Sequence, residues 1–150
     1  MKYRIERSTF IPRPREEVFS FFADAHNLER ITPAFLHFHI LTPDPIGMKS
    51  GTLIDYKLRL HGLPVRWRTL IEEFVPGVSF TDVQVSGPYR FWRHRHEFKE
   101  LATGTRMDDR VEYEMPFGFL GILTHRFLVR SMLDKVFDHR NASISAYFRG

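Results

Sequence analysis

The 150-residue sequence is 43% hydrophobic and 27% charged, contains no cysteine and carries a formal charge of +4. That balance fits one globular domain, residues 1–150, with a core of its own, and excludes disulfide and thiol chemistry. The first residues, Met1 to Arg7, contain no apolar signal segment, and no uninterrupted apolar run approaches the roughly 18 residues of a membrane span. The absence of cysteine is compatible with a reducing, cytoplasmic setting. The basic residues are spread among acids along the strands, which reads as a solvated surface and not as a nucleic-acid footprint.

Tyr3 to Ile11 alternates as a strand does and stops at Pro12 and Pro14. Pro14 at a first helical position, with Glu16 and Glu17 in the first turn, starts a helix whose buried face is Val18, Phe19, Phe21 and Phe22. Asp24 to His26 break it. Asn27 is positioned to cap a second short helix that closes at Thr32-Pro33. Phe35 to Leu41 reads as a strand, followed by a loop through Pro43 and Pro45.

Thr52 to His61 and Val65 to Ile71 form the next two strands, joined by Gly62-Leu63-Pro64. Pairing His61 with Arg66 sets Leu60 opposite Trp67 and Leu58 opposite Thr69, apolar against apolar. Lys57, Arg59, His61, Arg66 and Arg68 then fall on the outer face. Pro76-Gly77 turns the chain into Val78 to Ser86, whose facing has two readings. Pairing Val75 with Val78 puts Gln84 opposite Thr69 and so inward, with Phe80 and Asp82 on its side. The hydrophobic pattern alone would turn Val83 and Val85 inward instead. With Leu70 and Phe74, those valines would otherwise form an exposed apolar strip able to support a homodimer.

The most informative stretch is Phe91 to Met115, two long strands around a turn at Ala102, Thr103 and Gly104. Trp92, His94, His96 and Phe98 share one face of the first strand. Met107, Asp109, Val111, Tyr113 and Met115 share one face of the second. Pairing Ala102 with Thr105 sets Phe98 opposite Asp109 and His94 opposite Tyr113. The opposite face is charged almost throughout. The inward face mixes aromatic side chains with two imidazoles and a carboxylate, and an unpaired polar group costs roughly 2–7 kcal/mol to bury. The hairpin is therefore expected to wall a pocket.

Pro116-Phe117-Gly118 ends the sheet, and Phe119 to Phe148 carries helical spacing through Ile122, Val129, Leu133, Val136, Phe137, Ile144 and Tyr147. Arg126, Arg130, Asp134 and Asp138 recur on the far side, with Arg130 placed to pair with Asp134. The order is one strand, two short helices, six strands and one long helix. It predicts an α+β protein: a curved antiparallel sheet of about seven strands wrapped around the C-terminal helix.

That order resembles the helix-grip fold of the START and birch-pollen-allergen (SRPBCC) superfamily, which includes polyketide cyclases and aromatases. The signals are Pro14 to Phe22 leading to Asn27-Leu28 and Thr32-Pro33; Gly87-Pro88-Tyr89 with Trp92, His94, His96 and Phe98; and Thr105, Asp109, Tyr113 and Pro116-Phe117-Gly118. Together they look like a bacterial cyclase/dehydrase-like subfamily, of which similar domains also occur fused to nucleotide-sugar epimerase-like domains. No such second domain is expected within this sequence. The resemblance implies a small hydrophobic or amphipathic ligand, lipid-like or polyketide-like.

Tyr56, Trp67, Trp92 and Tyr113 are the expected apolar walls, and Val129, Leu133 and Val136 the expected lining of the helix. His94, His96, Asp109 and Gln84 are the polar candidates. Three uses stay open: these groups orienting the polar end of a ligand, Asp109, His96, Gln84 and Tyr113 satisfying one another as a buried network, or acid–base work by a His/Asp pair in a cyclase or dehydrase. His94, His96 and Asp109 also have the composition of a two-histidine, one-carboxylate metal set, but His-x-His arises easily from strand alternation, and no metal is expected. No glycine-rich phosphate loop, dinucleotide fingerprint or nucleophile elbow is present, so no cofactor is expected.

Overall fold

The computed structural model describes residues 1–149. Strand β1 (Lys2–Ile11) leads into helices α1 (Arg15–Phe22) and α2 (Asn27–Arg30), and β2 is a two-residue strand at His39–Ile40. A meander follows: β3 (Leu53–Leu60), β4 (Leu63–Val75), β5 (Ser79–Ser86), β6 (Phe91–Leu101) and β7 (Gly104–Glu114). The seven strands form one antiparallel sheet in the order β1-β7-β6-β5-β4-β3-β2. The chain ends in α3 (Gly118–Thr124), a π-helical turn at His125–Val129 and α4 (Arg130–Arg149). This is the helix-grip architecture expected from the element order.

Several local expectations are corrected. Phe35 to Leu41 is not a strand: Ala34–Leu36 is a 3-10 turn, His37 takes a left-handed conformation, and only His39–Ile40 pairs with β3. Pro14 sits one residue before α1, not inside it. Asn27 does not cap α2; its side chain donates to the Phe21 carbonyl at 2.8 Å and so ties the end of α1 to the start of α2.

Two hairpins are displaced in register. In β3–β4, Leu60 pairs with Leu63 and Tyr56 with Trp67. His61 and Gly62 both take positive φ, 52° and 82°, as a two-residue primed turn demands, so the turn lies earlier than Gly62-Leu63-Pro64. In β6–β7, Leu101 pairs with Gly104, which sets Phe98 opposite Met107 and His96 opposite Asp109. The expected register would have buried a carboxylate against a phenyl ring. Both displacements are even, so neither by itself moves a side chain off its predicted face.

Gln84 does lie opposite Thr69, as the turn-based reading required. A β-bulge between Ile71 and Glu73 changes the parity of β4, and Phe74 turns inward against Phe19 and Phe80. Phe74 therefore drops out of the expected exposed strip.

The helical segment also departs from one uniform period. Its buried stripe runs through Gly121, His125, Val129, Leu133, Phe137, Arg140, Ile144 and Phe148. The π turn absorbs one extra residue and shifts the phase on either side of it. Ile122 and Tyr147, expected inside, are exposed. Asp134 pairs with Arg7 of β1 at 3.3 Å, and among the described residues no Arg130–Asp134 pair forms. Together with Thr9 Oγ1 donating to Asn141 Oδ1 at 3.1 Å, the Arg7 pair ties α4 to β1.

Two apolar clusters flank the middle of the helix. One joins Ile11, Val18, Phe22, Phe98, Met107 and Ile144. The other joins Leu58, Trp67, Trp92, Val111, Leu133 and Phe137. The first cements α1 and the C-terminal half of α4 to the sheet. Ile144 is fully buried within it. Ile144→Ala is expected to cost about 2–5 kcal/mol in urea unfolding, the range for deleting a buried branched side chain. A loss under about 1 kcal/mol would mean that α4 does not pack here as described.

Candidate functional site

Between the two clusters lies a cavity of about 190 Å³, partly open to solvent. Its walls are mostly apolar, from Leu36, Tyr56, Trp67, Trp92, Leu133 and Phe137 among others. Trp67 and Trp92 meet edge to face at 5.3 Å, and Tyr56 stacks on Trp67 at 5.8 Å. Tyr56 and Trp67 project from the neighbouring strands β3 and β4, and Trp92 reaches them from β6, on the far side of β5. Its lining includes an ionisable cluster, Asp82 from β5, His94 and His96 from β6, and Arg140 from α4, with further polar groups at Asp24, Asn27, Thr32 and Thr69.

The ionisable cluster is joined through Asp109, which is buried behind it. Asp109 Oδ1 accepts from His94 Nε2 at 2.8 Å and from Arg140 Nη2 at 3.2 Å, and lies 3.3 Å from His96 Nδ1. The other ring nitrogen of His96 reaches Asp82 Oδ2 at 2.8 Å. His94 and His96 stack at 3.7 Å, and Phe80 closes the far face of His96 at 4.1 Å. The Arg140 guanidinium also lies 5.4 Å from the Phe22 ring centroid.

The two imidazoles differ in protonation. Burial, reinforced by the neighbouring His96, pushes His94 down to about 4, against the pull of Asp109. His96 is buried too, but carboxylates on both ring nitrogens outweigh that and raise it above its ordinary value. Burial would raise Asp109, yet Arg140 and the two histidines hold it well below the usual carboxylate range. Asp82 is lowered in the same way, its burial outweighed first by the His96 hydrogen bond. With His96 protonated and His94 neutral, the set is Asp82⁻, Asp109⁻, His96⁺, Arg140⁺ and neutral His94. The charges balance.

Asp82, His94 and His96 each offer one ligand atom, and these lie within 4.8 Å of one another. A divalent cation there would have to deprotonate His96, break its bond to Asp82 and add charge beside Arg140. The arrangement is that of a self-neutralised polar network.

Of the residues singled out in the sequence, Tyr56, Trp67, Trp92, His94, His96, Leu133 and Val136 line the cavity. Gln84, Asp109, Tyr113 and Val129 do not. Gln84 faces inward, but its amide is consumed by the Tyr89 peptide, donating to the carbonyl at 2.7 Å and accepting from the N–H at 3.1 Å. It shapes the turn that brings Tyr89 to the wall. Asp109 supports both histidines from behind. Tyr113 turns towards the helix and shares a 2.6 Å hydrogen bond with His125, while Val129 packs beside it in the apolar cluster. Asp82 and Arg140 are not among the site residues that the sequence singles out. Asp82 was legible by alternation with Gln84. Arg140 lies four residues beyond Val136, on the lining stripe, but a lone arginine there reads as solvent-facing.

A family model described as polyketide cyclase / dehydrase and lipid transport matches residues 11–143. The chain belongs to this family. Among solved structures, a START superfamily protein from Mycobacterium smegmatis has a TM-score of 0.72 at 11% identity, covering 97% of each chain. TTHA0849 from Thermus thermophilus has a TM-score of 0.71 at 18% identity, covering 98% of this chain and 99% of that one. The nucleoside-diphosphate sugar epimerase from Corynebacterium glutamicum has a TM-score of 0.68 at 26% identity, but the match spans 95% of this chain and only 28% of that one. No curated protein sequence matches. For this member of the polyketide cyclase / dehydrase and lipid transport family, the likeness to the first two structures establishes the fold alone.

The pH behaviour of the network is specific in sign. His96, raised in the fold, contributes stability that is full below about pH 6.5 and is lost as pH rises through its folded pKa. Asp82 and Asp109, lowered in the fold, contribute stability present above about pH 4 and lost as pH falls through their folded values. His94 opposes them: below about pH 6.5 the unfolded chain takes up a proton that the fold refuses until about 4. Histidine-ring NMR is therefore expected to show His94 still neutral at about pH 5.5, where His96, raised above its ordinary value of about 6.5, is already protonated. In Asp109→Asn, His96 is expected to titrate lower, and urea unfolding at about pH 7 to show a loss of about 3–5 kcal/mol from leaving buried cations unpaired. An ordinary midpoint near about 6.5 for His94 would contradict this electrostatic account.

Proposed function

We propose that this protein binds a small amphipathic molecule, its apolar body between Trp67, Trp92, Tyr56 and Leu133 and its polar end against His94, His96, Asp82 and Arg140. The observation that carries the reading is the make-up of the cavity: mostly apolar walls, with a buried network of paired ionisable groups set among them. Ligand pockets combine mostly apolar walls with a few convergent polar groups in this way. A neutral network favours an uncharged polar end such as a hydroxyl or carbonyl, because a charged one would upset the balance. The volume of about 190 Å³ is somewhat larger than the roughly 150 Å³ cavity that accepts benzene. It suits a body of one or two rings or a short acyl chain. The domain, residues 1–150, works in this reading as one ligand-binding unit.

A second reading, catalysis on a polyketide-like substrate, is favoured by one feature. His94 lines the cavity as a neutral imidazole, and its Nε2 is engaged by Asp109. An imidazole held in one tautomer by a carboxylate is suited to taking a proton from a bound hydroxyl or an activated C–H.

Native mass spectrometry of protein purified without detergent, with displacement of a fluorescent fatty-acid probe, tests the binding reading. Retained small-molecule mass, or saturable probe binding, is expected. Leu133→Trp, which fills the cavity with an indole, is expected to weaken probe binding at least about tenfold, roughly 1.4 kcal/mol. Equal probe binding by wild type and Leu133→Trp, or none by either, would count against this cavity as the site. An enzyme would in addition lose turnover of its substrate in His94→Leu while keeping affinity for an all-apolar probe.

A further inference from the structure

The sheet and cavity leave one part of the molecule unexplained: α3 and the π turn, residues 118–129. The segment is apolar on nearly all faces, and such a helix is ordinarily buried on nearly all faces. Here the protein covers a single stripe, Gly121, His125 and Val129. At Gly121 the approach is so close that a Cβ would stand 2.0 Å from the Pro116 carbonyl oxygen. The remaining faces carry Phe117, Phe119, Leu120, Leu123, Phe127 and Leu128 into solvent, with Phe119 72% and Phe127 70% exposed. Scattered exposed apolar side chains need no explanation, but a contiguous set on one helical turn after another does.

Charge decides what covers them. From Pro116 to Leu133 there is no acidic residue, and Arg126 and Arg130 both stand exposed. Arg126 lies alongside Phe127, 5.7 Å from its ring centroid. The acid nearest the beginning of α3, Glu114, lines the crevice beneath the helix together with Arg90 and the N-terminal Met1. A second copy meeting this face across a two-fold axis would bring arginines towards arginines with no acid in the segment to receive them. An anionic lipid surface supplies both an apolar layer for the phenyl and leucyl side chains and negative charge for the arginines. At about 1.5 Å per residue the segment is about 18 Å long, too short to cross a hydrocarbon core of about 30 Å. No described helix is long and apolar enough to cross a membrane. The segment can therefore lie in the interface and not through it.

We propose that α3 and the π turn are a docking surface for an anionic lipid membrane, with Phe119 and Phe127 entering the acyl boundary and Arg126 and Arg130 meeting the headgroups. C-terminal to this surface, Met132, Val136 and Arg140 of α4 line the cavity at four-residue spacing. The docking does not depend on the ligand-binding reading.

The test is co-sedimentation of the whole chain with vesicles of phosphatidylcholine alone and of phosphatidylcholine with about 30% phosphatidylserine, at low and high salt. Binding is expected to the anionic vesicles, at least about tenfold weaker to the neutral ones, and weakened by salt. The double variant Phe119→Asp, Phe127→Asp is expected to lose anionic-vesicle binding at least about tenfold while keeping its thermal midpoint and its binding of the fluorescent probe. If the aspartates prevent folding, Phe119→Gln with Phe127→Gln carries the same expectation. Failure of the wild type to sediment with either vesicle would overturn the proposal. So would undiminished binding by the variant, which would place adhesion on the basic outer face of the sheet. A wild-type dimer that the variant breaks, with no vesicle binding, would assign the face to a second copy and overturn it as well. Absence of probe binding by the wild type, with its anionic-vesicle binding intact and lost in the variant, would count against the cavity reading alone.

Discussion

Asp109 is a carboxylate taken out of water, which costs several kcal/mol unless its charge is answered at close range. Here it is answered by Arg140 from the helix and by two imidazoles from the neighbouring strand. Arg140 in turn could not be buried without Asp109. The pair therefore links the middle of α4 to the middle of the sheet at a place where apolar packing stops. On one side the helix is held by Phe98, Met107 and Ile144, on the other by Trp92, Val111 and Leu133. The polar joint between them keeps a cavity beside it instead of letting the two clusters merge.

The same joint creates chemical asymmetry between residues that look alike. His94 and His96 are two apart on one strand and stack face to face, yet the fold pushes the pKa of the first down and of the second up. The cause lies in the number of carboxylates each meets. His96 has one at each nitrogen, while among the described residues His94 hydrogen-bonds with Asp109 alone. A ligand arriving from the cavity therefore meets a neutral imidazole beside a balanced set of charges. That environment suits hydroxyl or carbonyl recognition better than capture of a free ion.

Much of the architecture was legible in the residues. The alternation of Trp92, His94, His96 and Phe98, the Pro-rich stop after β1, and the long uninterrupted C-terminal helix each had one strong local interpretation. The facing of the strands survived even where the register did not, because the displacements were even and the side-chain period is two. The failures have a common cause. The β-bulge in β4, the π turn before α4 and the shifted hairpins are each decided by a residue or two more or less, and local pattern is nearly indifferent to that. Phe74, Ile122 and Tyr147 changed sides for this reason. Gln84 was placed correctly, but its partner, the Tyr89 peptide, is a loop that no periodicity describes.

By itself, the sequence determined the order of elements, the helix-grip family of the fold, and the fact that imidazoles and a carboxylate face the interior. These follow from local spacing and from which residues can share a face. Tertiary structure alone decided that Arg140, forty-four residues beyond His96, closes the network. It also decided that Asp109 stands behind the cavity while Asp82 stands at its edge, and that α3 is left uncovered. Such outcomes depend on where two distant elements cross and on whether a buried charge finds its counter-charge there. Both are properties of the assembled fold and not of any one stretch of chain.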